Sequence, residues 1–291
     1  MFYKNKITPY FLLIPSFVFL ILTFFYPVLK LFQNALFGKV QNGIKFTGLD
    51  NIKYLFNDRV YVTALTNNIL MLCIIVPLLI IISLFISVLL FEKLAGWKFY
   101  RFVLFLPYIL AIPVVGIIFL YLFQKSGVVN TILTSIGLKS LAVNWLGSSK
   151  YAKYTLMLII TWKEVGLGII IFLARLMSVD ETLYEAAEID GANWLQRLIH
   201  ITIPQLSSVI QFYFIFSMIT ILSWVFNYVY VVTAGGPGHS TYTMELYIYY
   251  NTFKFGLTNI ASMASIILLI IVSGLIYIQY KLRGGLISSE V

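Results

Sequence analysis

Six long apolar runs dominate this chain, at about 11–31, 69–91, 102–123, 154–177, 209–232 and 260–280. A run of roughly 18 residues or more is long enough to cross a ~30 Å hydrocarbon layer as a helix. In that layer each backbone amide must be satisfied within its own segment, which favours helices. Only 11% of the 291 residues are charged, less than half of the ~25% usual in soluble domains. The runs are therefore read as spans and not as a soluble core. The expected fold is all-α: a single membrane domain over 1–291 with six transmembrane helices and both termini on the same side.

The remaining composition narrows the function by exclusion. Cys73 is the only cysteine, so an intramolecular disulfide is ruled out, and the sequence has no Cys/His cluster at metal spacing. His200 and His239 are far apart in sequence, and no metal site is expected. The net charge of +9 comes from basic residues scattered over loops. That pattern reflects topology and contact with anionic lipid, and no nucleic-acid partner is expected. Phe11 to Leu31 is too long for a cleavable secretion signal, and no small-residue cleavage site follows it.

Charge counting gives the orientation only weakly. Lys4 and Lys6, then Lys93, Lys98 and Arg101, then Lys281 and Arg283 fall on one side. Lys39, Lys45, Lys53, Arg59, Lys125, Lys139, Lys150 and Lys153 fall on the other. Density in the short loops favours cytoplasmic termini.

Prolines punctuate the runs: Pro9, Pro15 and Pro27 in the first, Pro77 in the second, Pro107 and Pro113 in the third. Interrupted helices are common where a bundle lines a pathway; for any single proline, adjusted packing is the preferred reading. Gly48-Leu49-Asp50-Asn51 marks a turn. Lys163 and Glu164 lie inside the fourth run, where charge is costly and a functional role is the default. Adjacent residues point to different sides of a helix, so pairing with other helices is an equal alternative.

The polar stretch 178–208 carries the most information. Ser178 with Glu181, and Thr182 with Glu185, both fit a capping box. Gly191 supplies a stop and Pro204 suits a first helical turn. Two short helices joined at a glycine turn are expected. Glu181, Glu185 and Glu188 share one face of the first, beside Ala186, Ala187 and a Leu183-Tyr184 pair expected to be exposed. An acidic helix would be repelled by anionic lipid. Solvation alone leaves the apolar pair unexplained. Docking into a groove of a partner protein accounts for all these features.

Glu185-Ala186-Ala187, then Gly191, then Ile201-Thr202-Ile203-Pro204 resembles the EAA motif of ABC importer permeases, EAA-x3-G-x9-I-x-L-P. Ile203 stands where that family has leucine. Thr233-Ala234-Gly235-Gly236-Pro237 after the fifth run resembles the T-x-G-G-P of carbohydrate-uptake permeases, such as the maltose, multiple-sugar/raffinose and glycerol-3-phosphate systems. Phe46–Asn51, Leu106-Pro107-Tyr108 and Gly127–Asn130 also look like that family's segments, so the likeness covers essentially the whole chain. The chain has no counterpart of the large periplasmic domain of the maltose permease.

The resemblance implies a type I importer permease fold with 178–208 as a cytoplasmic coupling loop. Glu185, Ala186, Ala187, Gly191, Ile201 and Pro204 would dock the ATPase. It also implies a second permease subunit, two ATPase subunits, an extracellular solute-binding protein and a sugar substrate; the alternative is the same type of importer carrying another small solute, such as glycerol-3-phosphate, phosphate or an amino acid. The sequence has no G-x4-G-K-[S/T] phosphate loop and no catalytic constellation, so no cofactor or catalytic residue is expected in this chain. A self-contained secondary transporter would need an internal repeat and buried ion ligands, and neither stands out. Ser217, Thr220, Trp224 and Asn227 lie along one face of the fifth run. Thr220, Trp224 and Asn227 are the candidate solute contacts; helix packing and interface anchoring are the alternatives.

Overall fold

A computed structural model describes residues 8–40, 43–93 and 95–287. Among the described residues, five helices are long and apolar enough to span a bilayer: Tyr10–Leu36, Arg59–Phe91, Ala152–Leu176, Trp194–Val232 and Thr258–Gln279. A sixth span is broken into Trp97–Ile109 and Ile112–Leu122, which meet at 98°. These are called the first to sixth spans in chain order, the broken pair being the third. Lys4 and Lys6 lie outside the described residues, as does the side chain of Arg283.

Two spans begin earlier than hydropathy suggests. The second starts at Arg59, ten residues before the apolar run, because Asn67 and Asn68 are buried helical residues. The fifth starts at Trp194, so no separate second short helix follows Gly191. A helical turn at Trp194–Arg197 runs through a π-helical segment, Leu198–Thr202, into Ile203–Val232. Pro204 follows directly on the π-helical turn, so it lies inside the continuous helix and not at a free helix start.

The break in the third span has a local cause. Pro113 cannot donate to the carbonyl four residues back, and Leu110 and Ala111 are extended, with ψ of 140° and 137°. By contrast Pro77 is carried inside an unbroken helix.

The chain forms two compact units, one of residues 8–62 with Tyr247–Leu275 and the other of Thr63–Leu246 with 276–287. In the first unit a hairpin pairs Phe37 with Phe46. Gly48 takes φ +53° in the predicted turn before the helix Asp50–Asn57. Asn51 donates to the Ala35 carbonyl at 2.7 Å and accepts from Asn259 at 3.2 Å. The Tyr247 hydroxyl donates to Asp58 at 2.7 Å. No residue in the most apolar stretch of the first span is buried, which suits a helix facing lipid or another membrane protein.

The second unit is built around the fourth span, 67% of whose apolar window is buried. Gly166 allows the close approach of the third span: a Cβ there would lie 2.8 Å from the Leu104 carbonyl oxygen. Tyr213 packs edge-on to Phe172. The turn after the fifth span is cross-braced by Thr233 and Thr241, whose hydroxyls are 2.7 Å apart. Asn67 clamps the following segment by donating to the Ser240 and Tyr242 carbonyls, and it accepts from Lys153.

Candidate functional site

The second unit holds a cavity of about 770 Å³ between the third, fourth and fifth spans. The break in the third span forms one wall through Leu110, Ala111, Ile112 and Pro113. At Pro113 the interruption therefore does more than adjust packing. The fifth span contributes Thr220, Trp224 and Asn227, the three residues picked out from the sequence, which are joined by Phe216 and Tyr230. From Thr220 to Asn227 the stripe rises about 10 Å along the helix. Ser217 is not in the wall: it is buried and donates to its own helix at the Phe214 carbonyl, 3.0 Å.

Lys163 and Glu164 line the same cavity. Contrary to the expectation for adjacent residues, they pair with each other at 3.4 Å, the long lysine side chain folding back on its neighbour. Each also ties the fourth span to another. Lys163 donates to the Tyr108 carbonyl of the third span at 3.2 Å and lies over the Tyr108 ring. The Glu164 carboxylate accepts from Tyr228 of the fifth, and the Tyr213 hydroxyl donates to the Glu164 backbone carbonyl. Buried charges are tolerated when paired and hydrogen-bonded in this way.

Tyr108, Phe216 and Tyr230 also line the cavity and are not among the candidates that the sequence picks out. Tyr108 closes the Leu106-Pro107-Tyr108 segment, and Tyr230 follows Asn227 by three residues, so both carried a signal. The result is a largely apolar pocket with a few convergent polar groups, the usual form of a small-molecule site.

The 178–208 stretch forms a second site in the same unit. Its helix is Glu181–Ile189. Neither anticipated capping box forms. Asp180 is the N-cap and accepts from the Thr182 N–H at 3.0 Å, which holds its carboxyl below the ordinary range. Ser178 instead closes the preceding helix by donating to the Arg175 carbonyl. A reciprocal box is present at Asn193 and Gln196, where the fifth span begins.

Gly191 acts as the stop, at φ +79°. Ala192 donates to the Ala187 carbonyl and Gly191 to that of Glu188, the two-bond closure of a Schellman turn.

The acidic stripe is partly neutralised within the chain, because Glu181 pairs with Lys93 at 3.1 Å and Glu188 pairs with Arg197. Glu185 is exposed and makes no ion pair among the described residues. Tyr184 is not the exposed residue expected. It packs against Phe91 at the end of the second span, with its hydroxyl 3.2 Å from that of Thr202. Trp194 donates to Glu92 at 2.5 Å, a further brace to the second span. On the helix Glu181–Ile189 the apolar surface left outside is Leu183 and Ile189, the latter 86% exposed, and Leu195 and Ile199 are exposed beyond the turn. Ala186 is exposed beside the first two, and Ala187 and Ile201 are half-buried. Ile189, three residues on from Ala186 on the same face, is the docking candidate that the motif left out.

Residues 80–282 match the sequence profile of the binding-protein-dependent transport system inner membrane component family. A probable ABC transporter permease protein of Bacillus subtilis, YurN, is 32% identical over 286 residues, covering 96% of each chain. The lactose transport system permease protein LacF of Rhizobium radiobacter is 35% identical over 88% of this chain and 87% of its own. Among solved structures, a bacterial ABC transporter that imports the acidic polysaccharide alginate aligns with a TM-score of 0.78 and 25% identity, over 96% of both chains.

Proposed function

The chain belongs to the binding-protein-dependent transport system inner membrane components, the permeases of ABC importers, and from that premise we propose that it carries a sugar or oligosaccharide through the 770 Å³ cavity. One observation supports this most. A single continuous helix, Trp194–Val232, begins in the coupling loop and carries Thr220, Trp224 and Asn227 into the cavity wall. At 39 residues it is about 58 Å long. A push at Trp194 therefore reaches the cavity without crossing a flexible joint.

In this reading the whole chain is one permease domain, with 178–208 as the cytoplasmic coupling loop and both termini cytoplasmic. One of two ATPase subunits docks on Leu183, Glu185, Ala186, Ala187, Ile189, Gly191, Ile201 and Pro204, and the other on the second permease. ATP hydrolysis resides in those subunits. A second permease completes the pathway as a heterodimer, and an extracellular binding protein delivers the sugar. The lining suits a saccharide, because Thr220, Asn227 and Trp224 supply neutral hydrogen-bonding groups among aromatic walls. The bracing of Tyr184 and Trp194 on the second span means that force on the loop is shared by the second and fifth spans.

The test is reconstitution. The purified chain alone should neither bind nor hydrolyse ATP. Hydrolysis should require the ATPase and the second permease, and vesicle uptake of a labelled sugar should require the binding protein as well. ATP hydrolysis by a rigorously pure single subunit would overturn the proposal.

A further inference from the structure

The cavity has a charge inventory that bears on which sugars it can take. Lys163 and Glu164 are the two charged residues that line it, and they are bonded to each other. An ammonium has three N–H donors. One of Lys163's is directed to the Tyr108 carbonyl at 3.2 Å and another to Glu164 at 3.4 Å. The group as a whole lies 5.3 Å from the centre of the Tyr108 ring. Glu164 in turn accepts from both Lys163 and Tyr228. The pair is buried and of zero net charge. The groups left facing a solute, Thr220, Trp224 and Asn227, are neutral.

Moving an anion from water into such a pocket requires a cation with donors to spare. Here two of the lysine's three donors are taken up by Tyr108 and Glu164, its charge is cancelled by the carboxylate beside it, and that carboxylate repels a second negative charge. Resting on the reading of this cavity as the sugar pathway, we propose that the Lys163–Glu164 pair makes it a site for uncharged saccharides that rejects carboxylate-, sulfonate- or phosphate-bearing ones. Glu164 sets the preference, because it is the group that cancels the lysine.

The experiment measures binding by equilibrium dialysis to the assembled permease–ATPase complex in lipid nanodiscs, without the binding protein, so that only the membrane site selects. The probes are disaccharides matched in linkage: galactobiose against digalacturonate, mannobiose against dimannuronate, and cellobiose against cellobiouronate. The uncharged member should bind at least tenfold more tightly in one or more pairs, with no pair reversed. Glu164→Gln keeps an acceptor for Tyr228 and removes the cancelling charge, so it should tighten the acidic member tenfold or more. Lys163→Met/Glu164→Gln should return the preference to that of the natural chain. An acid that binds the natural chain as well as its neutral partner would overturn the charge proposal while leaving the saccharide reading standing. So would an unchanged ratio in an assembled Glu164→Gln complex. If Glu164→Gln does not assemble, the ratio in the natural chain decides alone. Failure of every probe to bind would remove the saccharide reading and this proposal together.

Discussion

The buried pair can be weighed directly by replacing Lys163 with methionine, which keeps the stem and removes the charge. At 3.4 Å and an effective dielectric of about 20, the pair's mutual attraction is about 5 kcal/mol. Removing one partner strands the other, and breaking a buried pair costs about 3–5 kcal/mol. Tyr228 still donates to the stranded carboxylate, so the loss should fall at the low end, about 3 kcal/mol. Glu164→Gln alone strands the lysine in the same way, softened by the amide oxygen that replaces the carboxylate. The double variant Lys163→Met/Glu164→Gln strands nothing and should lie within about 1 kcal/mol of the natural chain, since neutral replacements of buried pairs are often well tolerated. A double-mutant cycle should therefore show a coupling of about 3 kcal/mol or more, far above the additive expectation for independent sites. The assay is unfolding by SDS titration in mixed micelles, followed by tryptophan fluorescence. Single variants as stable as the natural chain, or losses that simply add, would refute the reasoning.

Three further outcomes follow from other parts of the molecule. At Gly191 a Cβ meets nothing within 4 Å but φ is +79°, so the penalty is conformational; Gly191→Ala and Gly191→Leu should each cost about 1–2 kcal/mol, Gly191→Asn should cost less, and Glu185→Lys should act through charge reversal, all read as weaker co-purification of the ATPase from an otherwise folded chain. In a Cys73→Ala background, Ser149→Cys should react with an impermeant thiol reagent from outside intact cells and Asp190→Cys only after permeabilisation; the opposite pattern would invert the orientation. Burial pushes the Glu245 carboxyl up to about 7 from 4.5, its Oε2 being sealed without a partner, so the folded state binds a proton that the unfolded state has released. Stability should then fall by about 3 kcal/mol as pH rises from about 4.5 to 7 and level off above that, and Glu245→Gln should flatten the profile.

The spans were legible because hydropathy averages over many residues, and the polar ends of two helices were not. Asn67 and Asn68 look like loop residues until the segment Ser240–Glu245 is folded against them and takes up their amides. Trp194–Ile203 looks like a separate short helix because Pro204 suggests a start. In the structure a π-helical segment carries the chain into the proline. The face of the fifth span was readable from periodicity, which placed Thr220, Trp224 and Asn227 together. Periodicity could not separate Ser217, whose hydroxyl is satisfied within its own helix. The Lys163–Glu164 contact was hidden because spacing rules describe where Cβ atoms point, and a lysine has four more bonds with which to turn. Tyr184 looks exposed in the sequence because its partners, Phe91 and Thr202, are distant along the chain and adjacent only in the fold.

If the sugar passes the Thr220–Trp224–Asn227 face of this chain, its uptake must depend on those side chains. The direct measurement is uptake of a panel of labelled sugars into vesicles containing the complete transporter, with Trp224→Ala and Asn227→Ala compared with the natural chain. Both residues line the cavity, and Trp224 is 54% exposed, so neither substitution removes buried packing on the scale of a core residue. Each should lower uptake by about tenfold, the effect of losing about 1.4 kcal/mol of contact, or shift the order of preferred sugars, while the ATPase subunits still co-purify in full. Unchanged uptake of every sugar in both variants would contradict the claim and move the site to the partner permease.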